Sequence, residues 1–305
     1  MNVKQVMKLA TELKTIIPAF NIPYLPMVKP VIKAILDENS IAMIQVARPE
    51  WEKFEARSPE AVAEEYFRYC DKDHTLLHLD HVPVIDEDLK YVDYLPIIER
   101  AIKSGYQSVM VDASRLPLDE NIKATRLVTD IAHTADVPVE AELGAVSGHE
   151  KGGIGMEYEQ LFTTKKGFTD VDEAKRFVGE SGCDWLSVAV GSVHGAIAEN
   201  TRKEKKPEAR LDIEHIKALH KATGNMPLVL HGGSGIKQEY ILAAIDNGVS
   251  KINVGTEIRQ PYEFAMDERP GDIIYAQEKV YERTRWVISE FLKTSNNRTK
   301  LFRGV

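Results

Sequence analysis

The sequence predicts an α/β fold, a (β/α)8 TIM barrel with an extra C-terminal helix. Two observations predict it: eight short segments rich in Val, Ile and Leu recur along the 305 residues, and longer amphipathic segments separate them. The short segments mostly lack the polar alternation of a half-exposed strand, which is typical of parallel strands covered on both faces. Eight strand–helix repeats in one chain therefore favour a barrel.

A doubly wound open sheet shares this alternation, so spacing alone does not separate the two folds. The glycine-rich fingerprint that a dinucleotide-binding sheet carries after its first strand is absent here. No linker, internal repeat or low-complexity segment divides the chain, and we expect residues 1–305 to form one domain.

The elements follow in order from the apolar pattern. The predicted strands are 17–22, 41–46, 75–80, 107–112, 137–143, 184–190, 226–232 and 250–256. Helical spacing marks 26–39, 58–72, 118–135, 170–182 and 237–249, and a longer helix over about 272–294 follows the eighth strand. Ser58 before Pro59 is typical of a helix N-terminus. Helix C-termini are expected near Asn39, Gly105, Gly182 and Gly248.

Composition excludes several classes of protein. The net charge of −8 and the pI near 5.7 argue against a nucleic-acid-binding protein, and the basic run at 202–210 is interrupted by acids and Pro207, as in a solvated loop. Cys70 and Cys183 form no disulfide framework, which favours a reducing cytoplasm. The N-terminal 20 residues do not resemble a signal peptide, and we expect no membrane association.

Polar residues collect at the carboxyl ends of the predicted strands, where barrel enzymes carry their active sites. They are Asp80 and His81 (strand three), Asp112 and Ser114 (four), Glu140 and Glu142 (five), Ser192 and His194 (six), His231 (seven), and Asn253 and Thr256 (eight). A single histidine at a strand end is more often structural than metal-binding. Three on different strands, His81, His194 and His231, match the ligand set of catalytic zinc, which leaves a position for water or substrate.

The segment LLHLDHV (76–82) sets a geometric condition on this site. Strict strand alternation points Asp80 and His81 to opposite faces, so both can face the site only if the strand ends or bends there. His78 precedes Asp80 by two positions, so both side chains lie on the same face of the strand, and His78 can fill the barrel interior.

Glycine-rich segments indicate a second function at the same rim. HGGSG (231–235) and NVGT (253–256) follow strands seven and eight, where barrel enzymes often bind phosphate through backbone N–H groups. Tight turns between strand and helix are the alternative interpretation. The long glycine-rich segment 144–160 is a candidate lid with Glu150 as its acid, or a loop with an exposed glutamate.

At these residues the chain resembles the class II, zinc-dependent fructose-bisphosphate/tagatose-bisphosphate aldolase family. The resemblance lies in PAFNI, LHLDH, SVMVDAS, VEAELG, VGSVHG, PLVLHGGSGI and KINVGTE, between residue 18 and about residue 257. It implies an enzyme that cleaves a phosphorylated ketose, such as fructose 1,6-bisphosphate, to dihydroxyacetone phosphate and an aldehyde. It also implies a homodimer or homotetramer.

The resemblance assigns roles by motif. His81, His194 and His231 would bind a catalytic Zn²⁺, and Asp112 and Glu142 match positions for a second divalent or monovalent cation, or for a displaced ion. Asp80 would be the acid/base at the bond being broken, and Glu150 would move a proton on the donor. Substrate-binding positions would be Asn21, Gly195, Gly232, Gly233, Ser234, Asn253, Val254, Gly255 and Thr256.

The departures from the family pattern concern the substrate rather than the metal. Ala47 replaces a usual hydroxyl residue and Arg48 follows it, while Val82 and Arg115 stand where the family often has Gly and His. Arg48 would meet an anionic substrate group or form a surface salt bridge. Two further functions remain open: the same chemistry on a deoxy or acid sugar phosphate, or a sugar-phosphate-binding barrel without turnover.

Overall fold

The computed structural model describes residues 1–144, 158–192, 209–233 and 235–302. Eight parallel strands close into a barrel in sequential order, which confirms the predicted fold. The strands are β1 (Ile17–Asn21), β2 (Ala42–Ala47), β3 (Thr75–Pro83), β4 (Ser108–Asp112), β5 (Val139–Leu143), β6 (Trp185–Val188), β7 (Leu228–Leu230) and β8 (Val249–Val254).

Helices surround the barrel. They are α1 (Val3–Glu12), α2 (Val28–Asp37), α3 (Arg48–Glu52), α4 (Pro59–Tyr69), α5 (Tyr94–Lys103), α6 (Leu118–His133), α7 (Tyr158–Thr164), α8 (Val171–Ser181), α9 (Ile213–Ala222), α10 (Gln238–Asp246), α11 (Thr256–Glu268), α12 (Ile273–Trp286) and α13 (Asn297–Leu301). The Ser58 hydroxyl accepts a hydrogen bond from the Ala61 N–H, and Gly182 is left-handed, as predicted for these helix ends. The extra C-terminal helix is confirmed as α12, which continues into a π-helical turn, Val287–Phe291.

Helix α1 closes the amino-terminal end of the barrel. Its residues Val6, Met7 and Ala10 are fully buried and pack with apolar side chains from the barrel floor, including Met43 and Trp185. The floor is therefore a buried apolar layer. No helix in the described ranges is long and apolar enough to cross a membrane.

Above this floor, the barrel interior is polar. Gln45, His78, Glu140 and Lys251 are fully buried, and they lie two residues before the strand-end residues Ala47, Asp80, Glu142 and Asn253. Buried charges are stable only when they are paired, and Lys251 Nζ lies 3.0 Å from Glu140 Oε2. This layer supports the side chains at the carboxyl-terminal rim.

Candidate active site

An irregularity in β3 brings Asp80 and His81 to the same site. The register between β3 and β4 shifts between Leu79 and Val82, and His81 has a φ of 25°. The strand continues to Pro83, so it bends rather than ends at this point. Such a bulge re-aims one side chain, which satisfies the condition set by the sequence.

His231 and His81 are each oriented by a carboxylate. His231 Nε2 lies 2.8 Å from Glu140 Oε1, and His81 Nδ1 lies 3.3 Å from Asp112 Oδ2. The Ser114 hydroxyl donates to Asp112 Oδ1 at 2.6 Å and holds that carboxylate in place. Carboxylates that bond one ring nitrogen and fix the direction of the other are typical of metal-binding histidines.

The second nitrogens of these two rings face each other. His81 Nε2 and His231 Nδ1 are 2.6 Å apart, and Glu142 Oε2 lies 3.2 Å from His231 Nδ1. Donor atoms of Asp80, His81 and His231 lie within 4.8 Å of one another, as do those of His81, Asp112 and Glu142. Imidazole nitrogens with carboxylate oxygens suit Zn²⁺, and the donor set therefore fits one ion with an adjacent alternative position.

Asp80 is a buried, ionised acid beside this donor set. Its Oδ2 accepts hydrogen bonds from Asn21 Nδ2 at 2.8 Å and Gln45 Nε2 at 3.1 Å, and its Oδ1 accepts one from Asn253 Nδ2 at 2.9 Å. Burial opposes ionisation, but the neighbouring charges, chiefly His81 and Lys251, lower the pKa of Asp80 to about 2. Asp80 can therefore accept a proton at neutral pH.

The surrounding acids also hold a proton on His81. Burial lowers the pKa of His81, but the hydrogen bond to Asp112 and the charges of Asp80 and Glu142 outweigh it and raise the pKa to about 10. The site thus attracts positive charge strongly, and a bound cation would replace that proton.

The ends of β7 and β8 come close enough to form a backbone cradle. The Gly233 N–H donates to Asn253 O at 3.2 Å, and a Cβ on Gly233 would lie 2.7 Å from that oxygen. Gly255 lies beside Asn21 and immediately precedes α11, whose first residue is Thr256. The helix that follows β7 begins at Gln238, farther from its strand than α11 is from β8. Of these two helices, α11 therefore places its N-terminus nearer to the strand ends.

Comparisons with known proteins decide the family. The family model for class II fructose-bisphosphate aldolases matches residues 1–302. The chain belongs to this family. It is 36% identical over 191 residues to a fructose-bisphosphate aldolase of Streptococcus pneumoniae, and the match spans 61% of this chain and 59% of that relative's length.

Solved structures of similar proteins agree with the class II aldolase fold. The YdjI aldolase of Escherichia coli K12 is 27% identical, with a TM-score of 0.76 over 97% of this chain and 98% of the other. A proposed fructose-1,6-biphosphate aldolase of Coccidioides immitis, 23% identical, gives a TM-score of 0.77 over 98% of each chain, which supports the fold alone.

The structure brings together most, but not all, of the residues selected from the sequence. Asp80, His81, His231, Asp112, Glu142, Asn21 and Asn253 converge at the rim, with Gly232, Gly233, Val254, Gly255 and Thr256 on the two strand ends beside them. Glu150, His194, Gly195 and Ser234 lie outside the described residues. His78 fills the barrel interior, where its Nδ1 lies 2.8 Å from Ser108 Oγ.

No role was assigned from the sequence to several residues at this site. Gln45 and Lys251 contact the predicted site residues from within the barrel, as does Glu140, which was noted at its strand end only. Strand parity could have identified them because each precedes a strand-end residue by two positions. Glu50 follows β2 and accepts a hydrogen bond from the Ala47 N–H at 2.7 Å, and burial raises its pKa to about 8.

Arg48 forms the salt bridges that were one of its two predicted alternatives. Its Nη2 lies 2.7 Å from Glu52 Oε1, and its Nη1 lies 3.5 Å from Asp86 Oδ2. Two carboxylates thus surround this guanidinium.

Proposed function

We propose that the chain is a zinc-dependent aldolase that reversibly cleaves a phosphorylated ketose into dihydroxyacetone phosphate and an aldehyde. The observation that carries this proposal is the pair of facing ring nitrogens, His81 Nε2 and His231 Nδ1, beside the ionised Asp80. Fructose 1,6-bisphosphate is the first substrate to test, since the Streptococcus pneumoniae relative is named a fructose-bisphosphate aldolase.

Zinc would be held by His81, His231 and, by its motif, His194. The orienting carboxylates Glu140 and Asp112 support this ligand set because each fixes one ring nitrogen and leaves the other facing the site. Bound zinc supplies Lewis-acid stabilisation of the negative charge that develops on the donor half of the substrate. Asp112 and Glu142 would hold a second or displaced cation.

Asp80 acts as the base in cleavage. It takes the proton from the hydroxyl group on the carbon that becomes the aldehyde, while the carbon–carbon bond breaks and its electron pair stays with the donor half. The three amide donors around Asp80 keep the carboxylate ionised and fixed in direction. A positioned acid/base of this kind contributes about 10²–10⁴-fold in rate. Glu150 returns a proton to the donor carbon.

The donor's phosphate binds between the ends of β7 and β8. Because Gly233 has no Cβ, the ends of β7 and β8 approach each other closely. The N-terminus of α11 at Thr256 favours an anion there. Held there, the donor is oriented before the bond breaks, which removes much of the entropic cost of reaction. In condensation the same groups act in reverse.

A condensation screen tests this function. Zinc-loaded protein is incubated with dihydroxyacetone phosphate and a panel of neutral, acidic and phosphorylated aldehydes, and ketose formation is measured together with cleavage of fructose 1,6-bisphosphate. We expect turnover that chelation abolishes and zinc restores. Binding of dihydroxyacetone phosphate without any carbon–carbon bond formation would instead support a sugar-phosphate sensor.

A further inference from the structure

Lys251 is a fully buried lysine in the centre of the barrel. Its Nζ lies 3.0 Å from Glu140 Oε2 and 2.6 Å from Asn253 Oδ1. Lysine is almost never buried unless it is paired, because removal of its charge from water is costly. This ammonium therefore has a specific arrangement of partners rather than a simple packing role.

The partners of Lys251 lead in one direction to Asp80. An ammonium group can only donate hydrogen bonds, so Asn253 must turn its amide oxygen toward Lys251. The amide nitrogen of Asn253 then necessarily faces the other way, where it donates to Asp80 Oδ1 at 2.9 Å. The ionised Asp80 only accepts hydrogen bonds and favours the same orientation, so Lys251 anchors the far side of this amide, and without Lys251 the amide is held on one side only.

The other direction leads to His231. Glu140 receives the Lys251 ammonium on Oε2 and faces His231 Nε2 with Oε1 at 2.8 Å. His231 Nε2 is thereby engaged as a donor, and Nδ1 is the nitrogen that faces His81. Trp185 Nε1 also donates to Glu140 Oε2 at 2.8 Å, so Glu140 has a second support that does not touch Asn253.

We propose that Lys251 is a positioning residue that fixes the hydrogen-bond direction at both Asp80 and His231 through Asn253 and Glu140. Fully buried beneath the strand-end residues, it acts through Asn253 and Glu140, and it couples the acid/base to one metal ligand through a single charged group. This inference rests on the proposed aldolase function and extends it to a residue that has no assigned role.

Lys251→Met tests the coupling, because methionine keeps an unbranched apolar side chain and removes the donor. In zinc-saturated protein, we expect kcat for aldol cleavage to fall about 100-fold, the loss typical of a misplaced reacting group, with KM little changed. Exchange of the donor's proton with solvent, measured at saturating dihydroxyacetone phosphate, does not use Asp80 and should persist, because Trp185 still donates to Glu140 and so keeps His231 oriented. A merely structural role would lower both rates together.

Ser250→Ala is the matched control. It removes a buried hydrogen bond beside Lys251 on the same strand, between Ser250 Oγ and Thr11 Oγ1 at 2.6 Å, and leaves the Asn253 and Glu140 contacts intact, so kcat should stay near that of the wild type. Glu140→Gln probes the other end: chelator competition should show zinc affinity lower by about 10–100-fold, as for other orienting partners of ligand histidines. If Lys251→Met does not fold, Glu140→Gln still tests the contact between Glu140 and His231.

The outcomes separate the two proposals. Absence of zinc binding and aldol activity in the wild-type protein would remove the proposed function. Normal wild-type activity, with Lys251→Met behaving like Ser250→Ala, would remove the role of Lys251 alone. Parallel loss of cleavage and proton exchange would also overturn it, and so would unchanged zinc affinity in Glu140→Gln if Lys251→Met fails to fold.

Discussion

Gly233→Ala is expected to damage both stability and activity. An added Cβ would lie 2.7 Å from Asn253 O and from Ile252 Cγ1, so the turn after β7 must shift by about 0.7 Å to reach ordinary contact. Strand β8 cannot yield easily because it pairs with both β7 and β1. Overpacking of this kind costs about 1–3 kcal/mol, and a shift approaching 1 Å at a binding turn can cost ~100-fold in turnover.

Gly179→Ala is the matched control for this substitution. Gly179 lies within α8, and no atom of the described residues lies within 4 Å of its ideal Cβ. Alanine in a helix interior is more favourable than glycine by roughly 0.5–1 kcal/mol, so the variant should be slightly more stable than the wild type. Thermal unfolding and steady-state cleavage kinetics are measured for both variants. Equal unfolding temperatures and equal kcat/KM would refute the close approach of the two strand ends.

Three further substitutions or titrations test other parts of the site. Asp80→Asn should lower kcat by about 10²–10⁴-fold while zinc remains bound, and steady-state rates with metal analysis check this. Because the pKa of His81 is about 10 in the metal-free protein and the ring must lose its proton to bind zinc, zinc affinity should rise about tenfold per pH unit between pH 7 and 9. Titration calorimetry in two buffers would show proton release on zinc binding, and a pH-independent affinity would contradict the assignment. Since burial raises the pKa of Glu50 from 4.5 to about 8, the unfolded chain loses this proton first and stability falls as pH rises through that interval. Glu50→Gln should therefore unfold at a higher temperature than the wild type at pH 9 but not at pH 4; equal differences at both pH values would contradict burial of this carboxyl.

Sequence reasoning located the eight strands and the residues at their ends because parallel strands place their carboxyl ends at one rim. Asp80, His81 and His231 could be brought together on that basis alone. The bulge at His81 could be stated only as a condition, since it depends on how β3 pairs with β4. Lys251 was hidden inside an apolar segment, where one charged residue resembles an interruption of the strand rather than a buried partner.

Closure of the barrel floor by α1 bears on how ligands would reach the site. Val6, Met7 and Ala10 cover one end, and the buried polar layer fills the interior, so a ligand would approach from the carboxyl-terminal rim. In the proposed reaction both sugar fragments would leave from that side, and the fragment bound closer to the barrel would leave second. We expect sequential product release, visible as different inhibition patterns for the two products, and identical patterns would indicate independent exits.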